Sequence, residues 1–287
     1  MFFKDFLFSY KNSIQREIKK KKYFKSLRKL FNILYKFFLD KLRQILKINK
    51  INLDNHKEKE TLKKFNIDQL FKFFNADKAT EVIIDDKLIQ GHNYSQFYEK
   101  HLSKFKNKSN LNILEIGSLR GAAAASFFYY FNKPNIVCAD INPFQNKIFS
   151  KNIRKIFIDT QSKQIIHNLN KHLNKSFDII IDDASHNVRD QIITFNEFFK
   201  KVNHGGLYII EDTAQYKASP HLDPDNLNSG IREFLESLDN EENVFNKYLS
   251  KIEIENIRSS IGNIFFEKGN YILNNVNISE IVFIEKL

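Results

Sequence analysis

The chain contains little of what stabilises a secreted protein or carries a chain across a membrane. Its 287 residues include a single Cys and no Trp, which excludes an internal disulfide framework and favours a reducing compartment. No apolar run approaches the about 18 residues that a spanning helix needs, and no signal-peptide core follows the basic start. These absences predict a cytoplasmic protein, and the length suits one elaborated α/β domain.

Positive charge, by contrast, is concentrated at the N-terminus. Residues 1–50 hold 15 Lys or Arg against 3 acidic residues, whereas residues 51–287 hold 30 against 31. Apolar side chains recur there at helical spacing: Leu27, Leu30, Phe31, Leu34, Phe38, Leu42 and Ile45. Basic side chains lie on the other faces: Lys25, Arg28, Lys29, Lys36, Arg43 and Lys47. The pattern predicts a basic amphipathic helix.

Three partners suit such an arm. It could contact the inner face of the cytoplasmic membrane peripherally, because basic charge and an apolar stripe together favour an anionic bilayer surface. It could instead dock on the rest of the chain or on a second subunit of a homo-oligomer. It could also hold the phosphates of a nucleic acid.

Apolar runs in the middle of the chain carry acidic residues within them or directly after them. The runs are 112–116, 135–140, 155–158, 178–182 and 205–210. Helical patterns separate them, at 122–131, 164–173 and 192–202. Strands that alternate with helices predict an α/β fold with a doubly wound parallel sheet.

Further patterns lie before and after these central strands. Helical patterns at 62–74 and 94–105 would cover the entry side of the sheet, and a helix is expected around 231–238. Lys251 to Ile254 and Asn263 to Phe266 are predicted to pair as a closing antiparallel hairpin. The segment from Tyr271 to Leu287 alternates only weakly.

Gly117 and Gly121 follow the first of the central strands and begin a helix. Gly lets the backbone approach a ligand closely, and the N-terminus of a helix offers free N–H groups. The dinucleotide spacing Gly-x-Gly-x-x-Gly is absent because Arg120 and Ala124 break it, which weighs against a dehydrogenase. Asp140 ends the second strand, where a carboxylate can accept both hydroxyl hydrogens of a ribose. A tight turn without a ligand is the alternative.

Acidic residues and one histidine gather after the last two parallel strands, at Asp182, Asp183, His186, Glu211 and Asp212. Burying so much negative charge is unfavourable unless a cation lies among it. Hard divalent cations such as Mg²⁺ take oxygen ligands, so we predict that Asp183, Glu211 and Asp212 hold one. A neutral imidazole at His186 could accept a hydroxyl proton. Helix capping and pairing with Arg189 or Lys are the alternative roles.

Several motifs together resemble a known family. Leu114-Glu115-Ile116-Gly117 with Gly121 looks like the nucleotide loop of class I S-adenosylmethionine-dependent methyltransferases. More specific motifs are similar to the sugar O-methyltransferases of macrolide and surface-polysaccharide pathways: Asp77-Lys78, His92-x-Tyr94-x-x-x-Tyr98, Asp182-Asp183-Ala184-Ser185-His186, and Gly205-Gly206-x-Tyr208-x-x-Glu211-Asp212. Ala184 stands where Gly is usual, and the third-strand motif from Asp159 to Ser162 matches only in part.

The resemblance implies a Rossmann-like class I methyltransferase fold: a mostly parallel, seven-stranded sheet with helices on both faces, preceded by an N-terminal helical extension. Charge and helical patterns divide the chain into an arm (1–50), a linker with helical cover (51–107) and the methyltransferase domain (108–287). The cofactor would be S-adenosylmethionine, with a divalent metal expected to be Mg²⁺. The cofactor-binding residues would be Glu115, Gly117, Gly121, Asp140, Asp159 and Asp182, and the catalytic residues His186, as general base, and Asp183. The acceptor would be a saccharide, lipid-linked if the arm binds a membrane.

Two other function classes stay open. A nucleic-acid methyltransferase would use the basic arm to hold phosphate. Enzymes that methylate base nitrogens usually have Asn or Asp followed by Pro-Pro and an aromatic residue, where this chain has Asp182-Asp183-Ala184-Ser185, and nucleic acid is therefore the weaker expectation. A noncatalytic scaffold at a membrane would leave the Gly turn, the acidic residues and His186 unexplained.

Overall fold

The computed structural model describes residues 3–19, 23–46, 50–131, 134–240, 244 and 246–287, with side chains described except at 3, 17–30, 239 and 240. These residues form eleven α-helices, two short 3-10 helices (Ser103–Phe105 and Pro220–Leu222) and thirteen strands. Lys47 lies outside these residues, as do the side chains of Lys25, Leu27, Arg28, Lys29 and Leu30. The helices are α1 (Phe3–Lys19), α2 (Tyr23–Leu46), α3 (Lys59–Leu62), α4 (Ile67–Phe74), α5 (Ser95–Leu102), α6 (Ala122–Tyr130), α7 (Lys163–His172), α8 (Val188–Phe199), α9 (Gln215–Ala218), α10 (Ile231–Asn240) and α11 (Lys251–Arg258).

Seven strands form the central sheet, in the order β10-β13-β9-β8-β4-β5-β7. The strands are β1 (Ile51–Asn52), β2 (Glu81–Ile84), β3 (Lys87–Gln90), β4 (Asn112–Ile116), β5 (Asn135–Asp140), β6 (Ile148–Phe149), β7 (Ile153–Phe157), β8 (Phe177–Asp182), β9 (Val202–Ile210), β10 (Ile261–Lys268), β11 (Ile272–Leu273), β12 (Val276–Asn277) and β13 (Glu280–Lys286). Strands β4, β5, β7, β8 and β9 run parallel, and β13 is antiparallel to both β9 and β10. The predicted fold class and the seven-stranded, mostly parallel sheet are confirmed.

Alternate residues of the central strands point to two separate cores, because successive side chains of a strand face opposite sides of the sheet. On β8, Ile179 and Ile181 join a core with the aromatic residues of α4, α5 and α6, while Ile180 joins the second core with α7, α8, α10 and α11. Burial on both faces explains why these strands read as continuous apolar runs in the sequence. The helices on both faces hold the carboxyl ends of the strands in place.

The C-terminal hairpin differs from the prediction. Residues 251–258 form α11 rather than a strand, because Ser250 and Glu253 make a capping box and Ile254 and Ile257 are buried at helical spacing. Strand β10 pairs instead with β13, which comes from the weakly alternating segment after Tyr271. Strand β13 lies between β9 and β10 and is buried on both faces over its first five residues, so its sequence does not alternate.

The N-terminal arm is partly built into the domain. Helix α1 lies along the edge strand β7. The carboxylate of the buried Asp5 lies 2.7 Å from the Arg154 guanidinium, and Ser9 Oγ accepts a hydrogen bond of 3.0 Å from the Phe157 backbone N–H. Helix α1 therefore covers an edge that would otherwise present unpaired backbone groups. Helix α2 packs on α1, with the ring centroids of Phe6 and Phe37 4.2 Å apart.

The outer face of α2 stays exposed. Its apolar residues recur at alternating spacings of four and three, and each is more than half exposed: Phe31, Tyr35, Phe38, Leu42 and Ile45. Leu34, expected in this stripe, turns inward and is half-buried, and Tyr35 takes its place. In the ranges that the structure describes, no helix is both long and apolar enough to cross a membrane.

Candidate active site

The carboxyl ends of β8 and β9 bring the acidic residues of the sequence together. The strands are parallel neighbours, with Asp182 opposite Ile210, so Asp183 and the Glu211–Asp212 pair leave the sheet at the same edge. The Glu211 N–H donates a hydrogen bond of 3.0 Å to the Asp182 carbonyl, which fixes the two loops against each other. Parallel sheets place ligands at this edge.

Three of these side chains converge on one point. The Nε2 atom of His186 lies 3.9 Å from Asp183 Oδ1 and 4.0 Å from Asp212 Oδ2. One ligand atom from each residue lies within 4.8 Å of the others, a spacing that suits a metal ion. His186 and Asp212 both adopt positive φ, of 52° and 55°, an uncommon backbone conformation that clusters at functional sites. Two carboxylates can hold a divalent cation here, with the imidazole beside them.

Asp212 is held by two residues that precede the sheet. Tyr94 donates a hydrogen bond of 2.6 Å to its Oδ1, and His92 Nδ1 lies 3.1 Å from the same oxygen. Burial disfavours the charged carboxylate, yet the hydrogen bond and charge of His92 prevail and lower the pKa of Asp212 to about 2. Its Oδ2 remains directed at His186. The sequence showed His92 and Tyr94 as part of a motif but did not assign them to this carboxylate.

Glu211 has a different environment from the other two predicted metal ligands. Tyr98 donates a short hydrogen bond to Oε1, and the Lys78 ammonium lies 2.9 Å from Oε2 and 2.5 Å from Asp183 Oδ2. Both oxygens of Glu211 are thus engaged by protein groups, and the converging group consists of Asp183, His186 and Asp212. The part of Glu211 in metal binding stays a prediction.

Lys78 is the site residue that sequence reasoning missed. It is only 2% exposed and lies between two carboxylates. Burial disfavours the ammonium, but Asp183 and Glu211 overcome this and hold the pKa of Lys78 well above its ordinary value. The lysine therefore supplies a fixed positive charge inside the acidic cluster. Its position in the Asp77-Lys78 motif was the available signal.

Asp182 faces away from this cluster. Tyr208 donates a hydrogen bond of 3.3 Å to its Oδ2, and burial raises the pKa of the carboxyl to about 8. Asp182 therefore lies beside the second core, on the other side of β8 from Ile181. Its predicted support of the cofactor remains a prediction.

The Gly117 turn touches the acidic cluster directly. Gly117 has φ of 93°, and a Cβ at this position would lie 1.9 Å from the Asp183 carbonyl oxygen. Gly121 has φ of 86° and is the N-cap residue of α6. Glycine is thus required at 117 both for its backbone conformation and for contact with the next loop.

Polar groups around this turn lack protein partners. Glu115 is 2% exposed, and its Oε2 has no hydrogen-bond partner among the described residues. Burial raises the pKa of Glu115 to about 8. The buried Ser118 Oγ is likewise unsatisfied within the described ranges. Buried polar groups without partners are rare, and these fit a polar ligand such as the charged amino-acid end of S-adenosylmethionine.

Asp140 and Asp159 lie at the ends of the next two strands, β5 and β7. Asp140 Oδ1 accepts hydrogen bonds from the Asn142 backbone N–H, at 2.7 Å, and from the Gln145 side-chain amide, at 3.1 Å. Its Oδ2 accepts one from the Leu119 backbone N–H, at 2.8 Å, and keeps a free lone pair for a hydroxyl. Asp159 lies 2.8 Å from Arg16 Nε of the arm. The structure thus brings all predicted site residues to one edge of the sheet. Their individual roles remain predictions.

Comparisons with known proteins agree with this geometry. No protein-family model matches the chain. Over 128 residues, 42% of the chain, it is 25% identical to the 8-demethyl-8-alpha-L-rhamnosyl tetracenomycin-C 2'-O-methyltransferase of Streptomyces olivaceus, of which the match covers 33%. The chain therefore spans about a third of the length of this curated relative.

Solved structures show the same fold. The MycE methyltransferase from the mycinamycin biosynthetic pathway, in complex with Mg, SAH and mycinamycin VI, is 21% identical, with a TM-score of 0.55 over 78% of this chain and 55% of that one. The same enzyme with Mg and SAH gives a TM-score of 0.56 with the same coverage. At this identity the likeness establishes the fold. Together the comparisons confirm the resemblance to S-adenosylmethionine-dependent sugar O-methyltransferases that the motifs indicate.

Proposed function

We propose that the chain transfers a methyl group from S-adenosylmethionine to a sugar hydroxyl, with a divalent metal, Mg²⁺, as second cofactor. The contact of the Gly117 turn with the Asp183 backbone carries this proposal, because it joins the cofactor loop to the acid and histidine cluster. A methyl donor and an acceptor hydroxyl must lie side by side for direct transfer. The sugar O-methyltransferase among the relatives and the Mg and SAH in the MycE structures support the same reading.

The residues of the chain can activate a hydroxyl between them. When bound, S-adenosylmethionine supplies a sulfonium methyl group, and a divalent ion lowers the pKa of a coordinated alcohol. Asp183 and Asp212 would hold the ion. His186 Nε2, which lies about equally far from both carboxylates, would accept the hydroxyl proton, and the two charges would stabilise the resulting imidazolium.

The surrounding groups prepare this arrangement before a ligand arrives. Tyr94 and His92 orient Asp212, while Lys78 fixes Asp183 and offsets part of the cluster's negative charge. Preorganised charges of this kind cost no rearrangement during the reaction. Glu115 and the unpartnered Ser118 would bind the amino-acid end of the cofactor, and Asp140 its ribose.

Cofactor binding tests the proposed function. Calorimetry should show that the protein binds S-adenosylhomocysteine, and Asp140→Ala should weaken binding by roughly ten- to a hundred-fold, because hydrogen bonds to a charged carboxylate are lost. Glu60→Ala, on the exposed surface, is the matched control and should bind like the wild type. Binding of NAD in place of S-adenosylhomocysteine would overturn the assignment, and binding of neither would favour the noncatalytic scaffold.

We further propose that the acceptor belongs to glycan or glycolipid biosynthesis and is carried on lipid at the cytoplasmic membrane face. The exposed apolar stripe of α2 supports this, together with its exposed basic neighbours Lys36, Lys41 and Arg43. Like charge on a second copy would oppose pairing of two such helices, whereas an anionic bilayer complements it. Each basic residue near such a surface contributes roughly 1 kcal/mol.

Liposome sedimentation tests the membrane contact. The full chain should sediment with anionic vesicles, less so as salt rises, and the double variant Phe38→Ser with Ile45→Ser should lose most of this binding. Point variants are preferable to deletion of residues 1–50, because α1 covers β7. Leu88→Ser, at an apolar residue 65% exposed on β3, is the matched control. Tight RNA binding without vesicle binding would instead support the nucleic-acid alternative.

A further inference from the structure

The arm reaches the proposed cofactor site. Helix α1 runs along β7 in the direction of that strand: Asp5 contacts Arg154, Ser9 contacts Phe157, and Arg16 contacts Asp159 just beyond the end of the strand. The helix is therefore fixed to the domain at several points. Its C-terminal turn lies at the edge of the sheet where ligands bind.

Arg16 covers a carboxylate that would otherwise be open to a ligand. Its Nε lies 2.8 Å from Asp159 Oδ2, and the Gln161 N–H donates a hydrogen bond of 3.2 Å to Oδ1. Asp159 is 3% exposed. Both oxygens have a protein partner, and neither faces water.

Asp159 lies where the base of a bound nucleoside would extend. Strands β5 and β7 are parallel neighbours, with Asp140 opposite Phe157. If Asp140 holds the ribose, the end of β7 and Asp159 are the neighbouring position that its base can reach. A cavity of about 200 Å³ lies nearby, between the two arm helices and the loop after Asp140, lined by Ser9, Ser13, Ile33, Lys36, Pro143 and Phe144.

We propose that Arg16 closes the base end of the cofactor site, and that the Arg16–Asp159 ion pair breaks when the amino group of an adenine binds to Asp159. The proposal rests on the proposed S-adenosylmethionine site, which itself does not require the arm. The adenine amino group is a hydrogen-bond donor and can replace the guanidinium on the Asp159 carboxylate. Helix α1 is thus a movable wall of the site as well as a cover for β7.

Removing the Arg16 cation should increase the affinity of the site for an adenine-containing ligand. In the free protein, Arg16→Met removes the cation and leaves a buried carboxylate unpaired, which is unfavourable. A ligand that donates to Asp159 relieves this penalty, and it no longer has to displace the arginine. S-Adenosylhomocysteine should therefore bind Arg16→Met more tightly than wild type, by roughly five-fold.

Calorimetry with two ligands distinguishes an affinity gain at Asp159 from a gain that any ligand of the site would show. The purine-riboside analogue of S-adenosylhomocysteine carries hydrogen where adenine carries its amino group and has no N–H on its base, so it cannot donate to Asp159 and should gain nothing from Arg16→Met. Lys11→Met removes one positive charge from an exposed position of the same helix and should leave both affinities unchanged. Equal affinity of wild type and Arg16→Met for S-adenosylhomocysteine would overturn the proposal, and so would weaker binding by the variant.

Hydrogen exchange of the wild-type protein provides a second measurement that needs no variant. Amides of α1 near Arg16 should exchange faster when S-adenosylhomocysteine is bound, because the ion pair to Asp159 is released. Slower exchange there would mean that the ligand tightens the arm, against the proposal. If the wild type binds no S-adenosylhomocysteine at all, the proposed function fails. If it binds but α1 does not respond, only the role of Arg16 is refuted.

Discussion

His186→Ala should lower the turnover of a sugar acceptor by roughly a hundred- to ten-thousand-fold, the usual contribution of a general base. His186 Nε2 faces both Asp183 and Asp212, and no other described His has that position. The rate constant should be measured at saturating cofactor. His204→Ala, at an exposed His in β9, is the matched control and should keep full activity.

The same variant should retain its affinity for S-adenosylhomocysteine, because His186 lies with the acidic cluster rather than with Glu115 and Asp140. Loss of cofactor binding along with turnover would point to a structural part for the imidazole. An unchanged rate would leave proton removal to a carboxylate or to water. The two measurements together therefore distinguish a base from a residue that only shapes the loop.

Lys78→Met should destabilise the protein by about 3–5 kcal/mol in the presence of chelator, measured by urea unfolding. The substitution leaves Asp183 and Glu211 as neighbouring buried acids without the ammonium that lies between them. Mg²⁺ should restore part of the lost stability, because an ion bound only by the folded state stabilises it. Lys63→Met, which breaks an exposed ion pair with Glu60, should change stability by less than about 1 kcal/mol.

An unchanged unfolding free energy for Lys78→Met would show that the two carboxylates are protonated or hydrated in the folded protein. A large loss that Mg²⁺ does not reduce would show that the cation site does not include Asp183. The wild type should gain less stability from Mg²⁺ than the variant does, because it already carries a positive charge in the cluster.

The parts of the site that follow from single strands could be predicted from the sequence. Asp140 and Asp183 each follow an apolar run, and a parallel sheet brings the ends of such runs to one edge whatever the rest of the chain does. Gly117 and Gly121 were predicted for the same local reason. The sequence pattern therefore located the acidic cluster and its edge of the sheet.

The partners of these residues could not be predicted, because they come from distant segments. Lys78 is 105 residues from Asp183 and 133 from Glu211, and no local periodicity links them. Glu211 was therefore assigned to a metal without its lysine and tyrosine. Arg16 was counted as one basic residue among many, since only the docking of α1 on β7 brings it to Asp159.

Two C-terminal elements show how short patterns mislead. Lys251-Ile-Glu-Ile alternates like a strand, but the capping box of Ser250 and Glu253 begins a helix there. Residues 280–286 carry too many apolar side chains to alternate, because β13 is enclosed by a strand on each side and by both cores. Local propensity was overridden in the first case by capping and in the second by tertiary packing.

The position of β13 in the sheet also constrains synthesis on the ribosome. Strand β9 pairs with β8 on one side. On its other side it pairs with β13, whose residues follow it by about 70 positions. Until those residues leave the exit tunnel, β9 presents an open edge of apolar strand, the kind of surface on which nascent chains pair wrongly with one another. Strand β10 emerges earlier, but among the described strands it pairs with β13 alone. The sheet can therefore be completed only after β13 has been made, and chaperones that bind extended apolar segments would have the preceding interval in which to act.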